Sequence, residues 1–311
     1  MRSMGREYSR RVGIRVSIAI ILAVFLLPFG DSAAADKKAG SSKKEKKEIC
    51  ITFNELPVAK GFGDADMQAI NFLILDKLKA HNVKAAGFVV GESIDDAFDI
   101  LGQWLNDGHT LGSMTYSNPD LHDLGIEQFI SDIKLGAEAV EPMLTGFGQK
   151  KRYFRFPYLH YGNTVKEKTE IQKYLDHMKY VVAHATIVPE DYLYNLSLEK
   201  LGKIPDSAAY VNLLNEYVNH VLDEVDREEG LAREITGHSV RQIMLLRANR
   251  LNAVFLDEIL TQLENMGYTF VTLDYALKDP VYTETEAYFG PKGVGYLDMI
   301  HLSNADLLPA E

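Results

Sequence analysis

The chain has 311 residues, with 33 Lys and Arg against 44 Asp and Glu, a net charge of −11 with His neutral. That acidic balance argues against a nucleic-acid partner, which needs a basic face. Cys50 is the only cysteine, so no internal disulfide can form, and its place in an apolar run predicts a buried thiol.

Residues 1–35 read as an export signal. Arg2, Arg6, Arg10, Arg11 and Arg15 form a positive start, and Ile18 to Phe29 form an apolar core too short to span a bilayer comfortably. Ala33 to Ala35 supply small residues for cleavage before Asp36. The bland alternative is a retained N-terminal anchor, and Ser9-Arg10-Arg11 leaves both the general and the twin-arginine export routes open. Residues 36–48 form a Lys-rich tether without apolar periodicity. Residues 49–311 are then enough for one large domain, expected in the periplasm or secreted, with no transmembrane segment after cleavage.

Within that domain, β-like runs alternate with amphipathic stretches, which predicts a parallel sheet wrapped by helices. The predicted strands cover residues 49–53, 85–90, 110–115, 153–156, 180–187, 242–246 and 269–273. The predicted helices cover residues 67–80, 95–106, 126–144, 165–178, 208–229 and 251–266. The result is an α/β fold of about seven units. The acid-rich run from Asp223 to Glu229 reads as a solvated helix face.

In such sheets the working residues sit at the C-terminal ends of strands. Asn54 and Glu55 follow the first strand, Met114 to Asn118 close the third, Arg155 to Tyr158 the fourth, and Arg247 the sixth. The segments Ile51-Thr52-Phe53-Asn54-Glu55-Leu56-Pro57, Gly108 to Leu121 and Phe154-Arg155-Phe156-Pro157-Tyr158 occur in that order. They resemble the metal-dependent polysaccharide deacetylases, carbohydrate esterases built on a distorted (β/α) barrel. The resemblance extends from Ile49 to about His301.

The resemblance implies a reaction in which a divalent metal, often zinc, is held by one Asp and two His. A second Asp acts as base, a later-strand His as acid, and an Arg orients the base. In this chain the base position is Asn54, the metal positions are Glu55, Met114 and Asn118, and the acid position is Arg247. An amide cannot serve as a general base, a thioether is a poor zinc ligand, and arginine stays protonated. Arg155, Pro157 and Tyr158 match the family's Arg-x-Pro-Tyr element, and Asp191 persists beside Tyr192, which stands where the family has Trp. Phe156, Pro157, Tyr158 and Tyr192 are the candidate substrate-binding positions. Tyr153, Phe154 and Tyr161 join them in an aromatic cluster suited to sugar rings.

The expected protein is therefore a catalytically inactive deacetylase-like barrel that binds a glycan or a cell-envelope partner, with no cofactor expected. One alternative is a working hydrolase with an atypical site, holding zinc if that site functions, or rebuilt from His109, His122, His160 or His184. Of these, His109 and His184 read as structural. Another is a structural subunit that pairs with an active homologue. Losing the metal leaves a carboxylate uncompensated, so Arg247 is expected to pair with Glu55 or Asp191.

Overall fold

A computed structural model describes residues 45–59, 64–201 and 207–306. The expected export segment and residues 36–44 lie outside the described residues. Among those described, no helix is long and apolar enough to cross a membrane.

The elements run β1 (Lys47–Leu56), α1 (Asp64–Ala80), β2 (Ala86–Val89), α2 (Ile94–Asn106), β3 (Thr110–Ser113) and α3 (Ile126–Gly146). Next come β4 (Arg152–Phe154), α4 (Val165–His177), β5 (Tyr180–Val182), α5 (Asp191–Leu201) and α6 (Ser207–Thr236). The chain closes with β6 (Arg241–Arg247), α7 (Arg250–Asn265), β7 (Tyr268–Phe270), α8 (Leu273–Ala276) and α9 (Tyr296–Asp306). Lys47 and Glu48, expected in the tether, already belong to β1, because their backbone pairs with Tyr268 and Thr269 of β7.

The seven strands form one sheet in the order β5-β4-β3-β2-β1-β6, all parallel, with β7 added to β1. The fold is thus α/β with about seven strands, as the alternation predicts. The expected strand over 180–187 is in fact two pieces. Tyr180–Val182 pairs with β4, whereas Ile187 bridges Met244 of β6. One segment therefore serves both neighbours, and the barrel is distorted where a regular one would place a further strand. The expected strand over 269–273 ends at Phe270, and Leu273 opens α8 instead.

Strand parity divides the interior into two cores. Ile49, Ile51 and Phe53 of β1 join Met244 and Leu246 of β6 under the stripes of α1, α2 and α7. Cys50 of β1, with Ile243 and Leu245 of β6, faces the other core with Phe88, Phe154 and Phe156. Burial on both faces explains the near-continuous apolar runs of these strands. Cys50 is fully buried, and that burial pushes its thiol up to about 12.

The acid-rich run in α6 is a solvated face only in part: Asp223 and Asp226 are exposed as expected, but the two acids that end the run are not. Glu228 is fully buried and Glu229 nearly so. Glu228 contacts Arg227 at 2.5 Å, and Arg227 bonds Asp298 of α9 at 2.9 Å, so the run forms a helix–helix seam. Burial, helped by Asp298, pushes the Glu228 carboxyl up to about 8 from an ordinary value near 4.5. The folded state then keeps a proton that the unfolded chain releases, so this group's stabilising contribution is complete below pH 4.5 and lost as pH rises through 8. Glu228→Gln should remove that decline. Its stability relative to the parent should rise by roughly 1 to 3 kcal/mol between pH 5 and pH 8 in urea unfolding. An unchanged difference across that interval would rule out a protonated Glu228.

Candidate functional site

The C-terminal ends of β1, β3, β4 and β6 open into a cleft of about 560 Å³ whose walls include Asn54, Glu55, Met114, Tyr158, Tyr192 and Arg247. A larger surface hollow of about 750 Å³ lies between α1 and α2, lined by Phe72, Leu75, Ile100 and Gln103. None of the strand-end residues reaches that hollow, so the smaller cleft holds the chemistry.

The floor is built around Arg155, which is fully buried. Its Nη1 donates to Asn54 Oδ1 at 3.1 Å and its Nη2 to Thr52 Oγ1 at 3.3 Å, while its guanidinium lies 4.3 Å from the Phe88 ring centroid. Asn54 and Thr52 alternate with Phe53 along β1, so parity brings both to the arginine. Among the described residues no carboxylate pairs with it. Burial pushes the guanidinium down to about 10. An amide at position 54 therefore still satisfies the arginine's hydrogen bond but supplies neither a countercharge nor a basic site.

Arg247 ends β6 directly beside Asn54, its register partner in β1. Its Nε donates to Glu55 Oε1 at 3.1 Å and its Nη1 to Asp191 Oδ1 at 2.7 Å. The expected pairing with one acid or the other is a bridge to both. Asp191, fully buried at the start of α5, also accepts from the Arg247 backbone amide at 2.6 Å and from Asn252 Nδ2 at 2.5 Å. Tyr192 lies under the guanidinium, 4.9 Å from its carbon. Burial by itself would lower the Arg247 pKa, but Asp191 and Glu55 together raise it above its ordinary value. The cation in this cleft is therefore permanent.

The family's metal does not fit these residues. Glu55 is already engaged by a guanidinium, Met114 is 2% exposed within the second core, and Asn118 sits in a left-handed turn at φ 56°. The Asn118 Oδ1 is buried without a hydrogen-bond partner, but one amide oxygen beside a thioether is a poor donor set for zinc.

The proposed aromatic surface is smaller than the sequence suggests. Phe156 is 3% exposed and packs on Phe154, Phe129 and Tyr161, so it is core and not a binding wall. Tyr153, Phe154 and Tyr161 are buried too, and Pro157 is buried behind Tyr158. Tyr158 and Tyr192 are the two candidates that face the cleft, 51% and 43% exposed. Tyr158 holds a left-handed φ of 55° against Gly293, where an added Cβ would lie 1.7 Å from the Tyr158 carbonyl oxygen. His109 accepts from the Ala85 amide beside Trp104, and His184 bonds the Tyr161 hydroxyl, so both are structural as expected. Asn195, absent from the candidate list, lines the cleft and caps the Leu251 amide from α5. Nothing in its local pattern signals that role, because its partner lies 56 residues away.

Residues 41–175 match the sequence profile of the polysaccharide deacetylases. The chain carries a polysaccharide deacetylase family domain. It is 35% identical over 106 residues to a peptidoglycan-N-acetylglucosamine deacetylase of Bacillus cereus, covering 34% of this chain and 38% of that protein. It is 24% identical over 234 residues to the peptidoglycan-N-acetylglucosamine deacetylase PgdA of Listeria monocytogenes, covering 74% of this chain and 39% of that one. The chain thus spans about two fifths of the length of these relatives. Its deacetylase fold also matches a solved CE4 family pseudoenzyme from Bacillus anthracis, at 19% identity and a TM-score of 0.52, over 75% of this chain and 66% of that chain.

Because Asp191 is the more deeply buried partner, Arg247→Ala should destabilise the fold by about 1 to 3 kcal/mol. In double-mutant cycles the loss should couple more strongly to Asp191→Asn than to Glu55→Gln. Urea unfolding of the six proteins measures both couplings; absent coupling would contradict the bridge, and equal coupling would contradict the greater weight given to Asp191.

Proposed function

We propose that this chain is an exported, catalytically silent deacetylase-fold protein whose rim cleft holds a glycan without cleaving it. One observation carries the reading: the Arg247 guanidinium stands between Glu55 and Asp191, where the family's chemistry calls for a metal and an exchangeable proton. With Asn54 as an amide on Arg155, no group at the base position can take a proton from water. The walls remain suited to a sugar. Tyr158 and Tyr192 offer two exposed rings, and Asn54, Glu55, Glu190, Asn195 and Asn249 line the cleft with hydrogen-bonding groups. The peptidoglycan deacetylases among its relatives make an N-acetylated cell-wall glycan the first ligand class to try. The arginine-rich apolar start of the sequence supports export to where such glycans are.

Acetate release from N-acetylglucosamine oligomers should stay at background. The combined replacement Asn54→Asp, Glu55→Asp, Met114→His, Asn118→His and Arg247→His, supplied with zinc, should raise it measurably. Calorimetric titration of the parent with the same oligomers should show binding that Tyr158→Ala weakens about 3- to 10-fold. Chelator-sensitive acetate release by the parent protein would overturn the silent reading, and absence of oligomer binding would overturn the glycan reading.

A further inference from the structure

Three side chains with metal-ligand chemistry meet at the edge of the cleft, at positions outside the lost machinery. Asp120 and His122 lie on the turn that follows β3, and His160 on the turn that follows β4. One ligand-type atom from each lies within 4.8 Å of the others. Asp120 Oδ1 accepts from the His122 amide at 2.9 Å and lies 2.7 Å from His160 Nδ1. The two imidazoles stack with centroids 3.9 Å apart and planes 8° from parallel. His160 also lines the cleft, its ring 5.9 Å from that of Tyr158.

A simple hydrogen-bonded Asp–His pair accounts for part of this arrangement only. His122 Nε2 is buried without a hydrogen-bond partner, and so is Asn118 Oδ1 earlier on the same turn. Buried polar atoms left over in this way call for a partner, an ion or a water, that the protein holds in place. Two imidazoles and one carboxylate suit a zinc-like cation, whereas calcium and magnesium prefer all-oxygen sites. Ligands about 2.1 Å from a tetrahedral zinc stand about 3.4 Å apart. The 2.7 Å Asp120–His160 pair therefore has to open and the widest separation, within 4.8 Å, to close by about an ångström, with one ring turning out of the stack.

We propose that Asp120, His122 and His160 form a binding site for a divalent transition cation of the zinc class at the lip of the cleft. This site shares no residue with the Arg247 bridge, so it stands whether or not the cleft is silent.

Untagged full chain is titrated with zinc alone, after chelation and dialysis, by calorimetry and by elemental analysis. The expected result is one equivalent bound at micromolar or tighter affinity. His122→Ala, His160→Ala and Asp120→Asn should each weaken it by at least the roughly 10- to 100-fold seen when mere supporting residues of metal sites are lost. Glu55→Gln and Met114→Leu should leave it unchanged. Asp120→Asn keeps the size of the side chain, and far-UV circular dichroism confirms that each variant is folded. No binding, or binding equal in the parent and the three cluster variants, overturns the site while leaving the silent cleft untouched. Zinc lost in Glu55→Gln and kept in His160→Ala overturns the site and the silent cleft together.

Discussion

A single guanidinium, that of Arg247, compensates two carboxylates that reach it from separate elements. In a half-closed cleft an uncompensated acid is costly, and the compensating charge has to come from a metal, a proton or a cation on the chain. Here it comes from the chain. Two consequences follow. Glu55 and Asp191 are no longer free to hold an ion, and the strand end that carries the cation cannot also deliver a proton. The second arginine, Arg155, completes the pattern from below: it is fully buried and keeps a hydrogen-bonded neighbour in Asn54 without recovering a countercharge.

The backbone around these residues remains as constrained as a working site requires. Glu55, Thr115, Asn118, Tyr158, Leu159 and Glu190 all have positive φ; Glu55 lies near the end of β1 and the others in segments that follow strands. Such conformations cost about 1 to 3 kcal/mol each for non-glycine residues and persist only where the surroundings enforce them. The surroundings do so here by close packing. An added Cβ on Gly136 of α3 would meet the Thr115 carbonyl carbon at 2.4 Å, and Gly293 presses on Tyr158. The shape of the rim is thus held by packing, at a cost in stability.

Much of this was legible in the sequence. Alternating apolar runs located all seven strands and six of the longer helices, because both signals depend on neighbours a few residues apart. That Asn54, Glu55, Met114 and Arg247 share one rim was readable too, because each lies at the end of a predicted strand. The helix α5 that carries Asp191 and Tyr192 was missed, since its partly buried face offers little contrast between sides.

Composition and local pattern, then, determined the class of fold and the strand ends that make the rim, because these are properties of residues and their near neighbours; the reading of Asn54, Glu55, Met114, Asn118 and Arg247 as altered site positions came from the family resemblance. Tertiary structure alone decided which groups meet. Arg247 reaches Glu55 across 192 residues and Asp191 across 56, so sequence could offer the pairing only as a choice between acids. His160 joins Asp120 across 40 residues. Burial, too, was settled only by packing: Phe156 turned into the core while Tyr158, two positions on, faced the cleft, and Glu228 sank into a helix seam. Charge compensation and burial depend on the full set of neighbours in space, and a linear pattern does not contain that set.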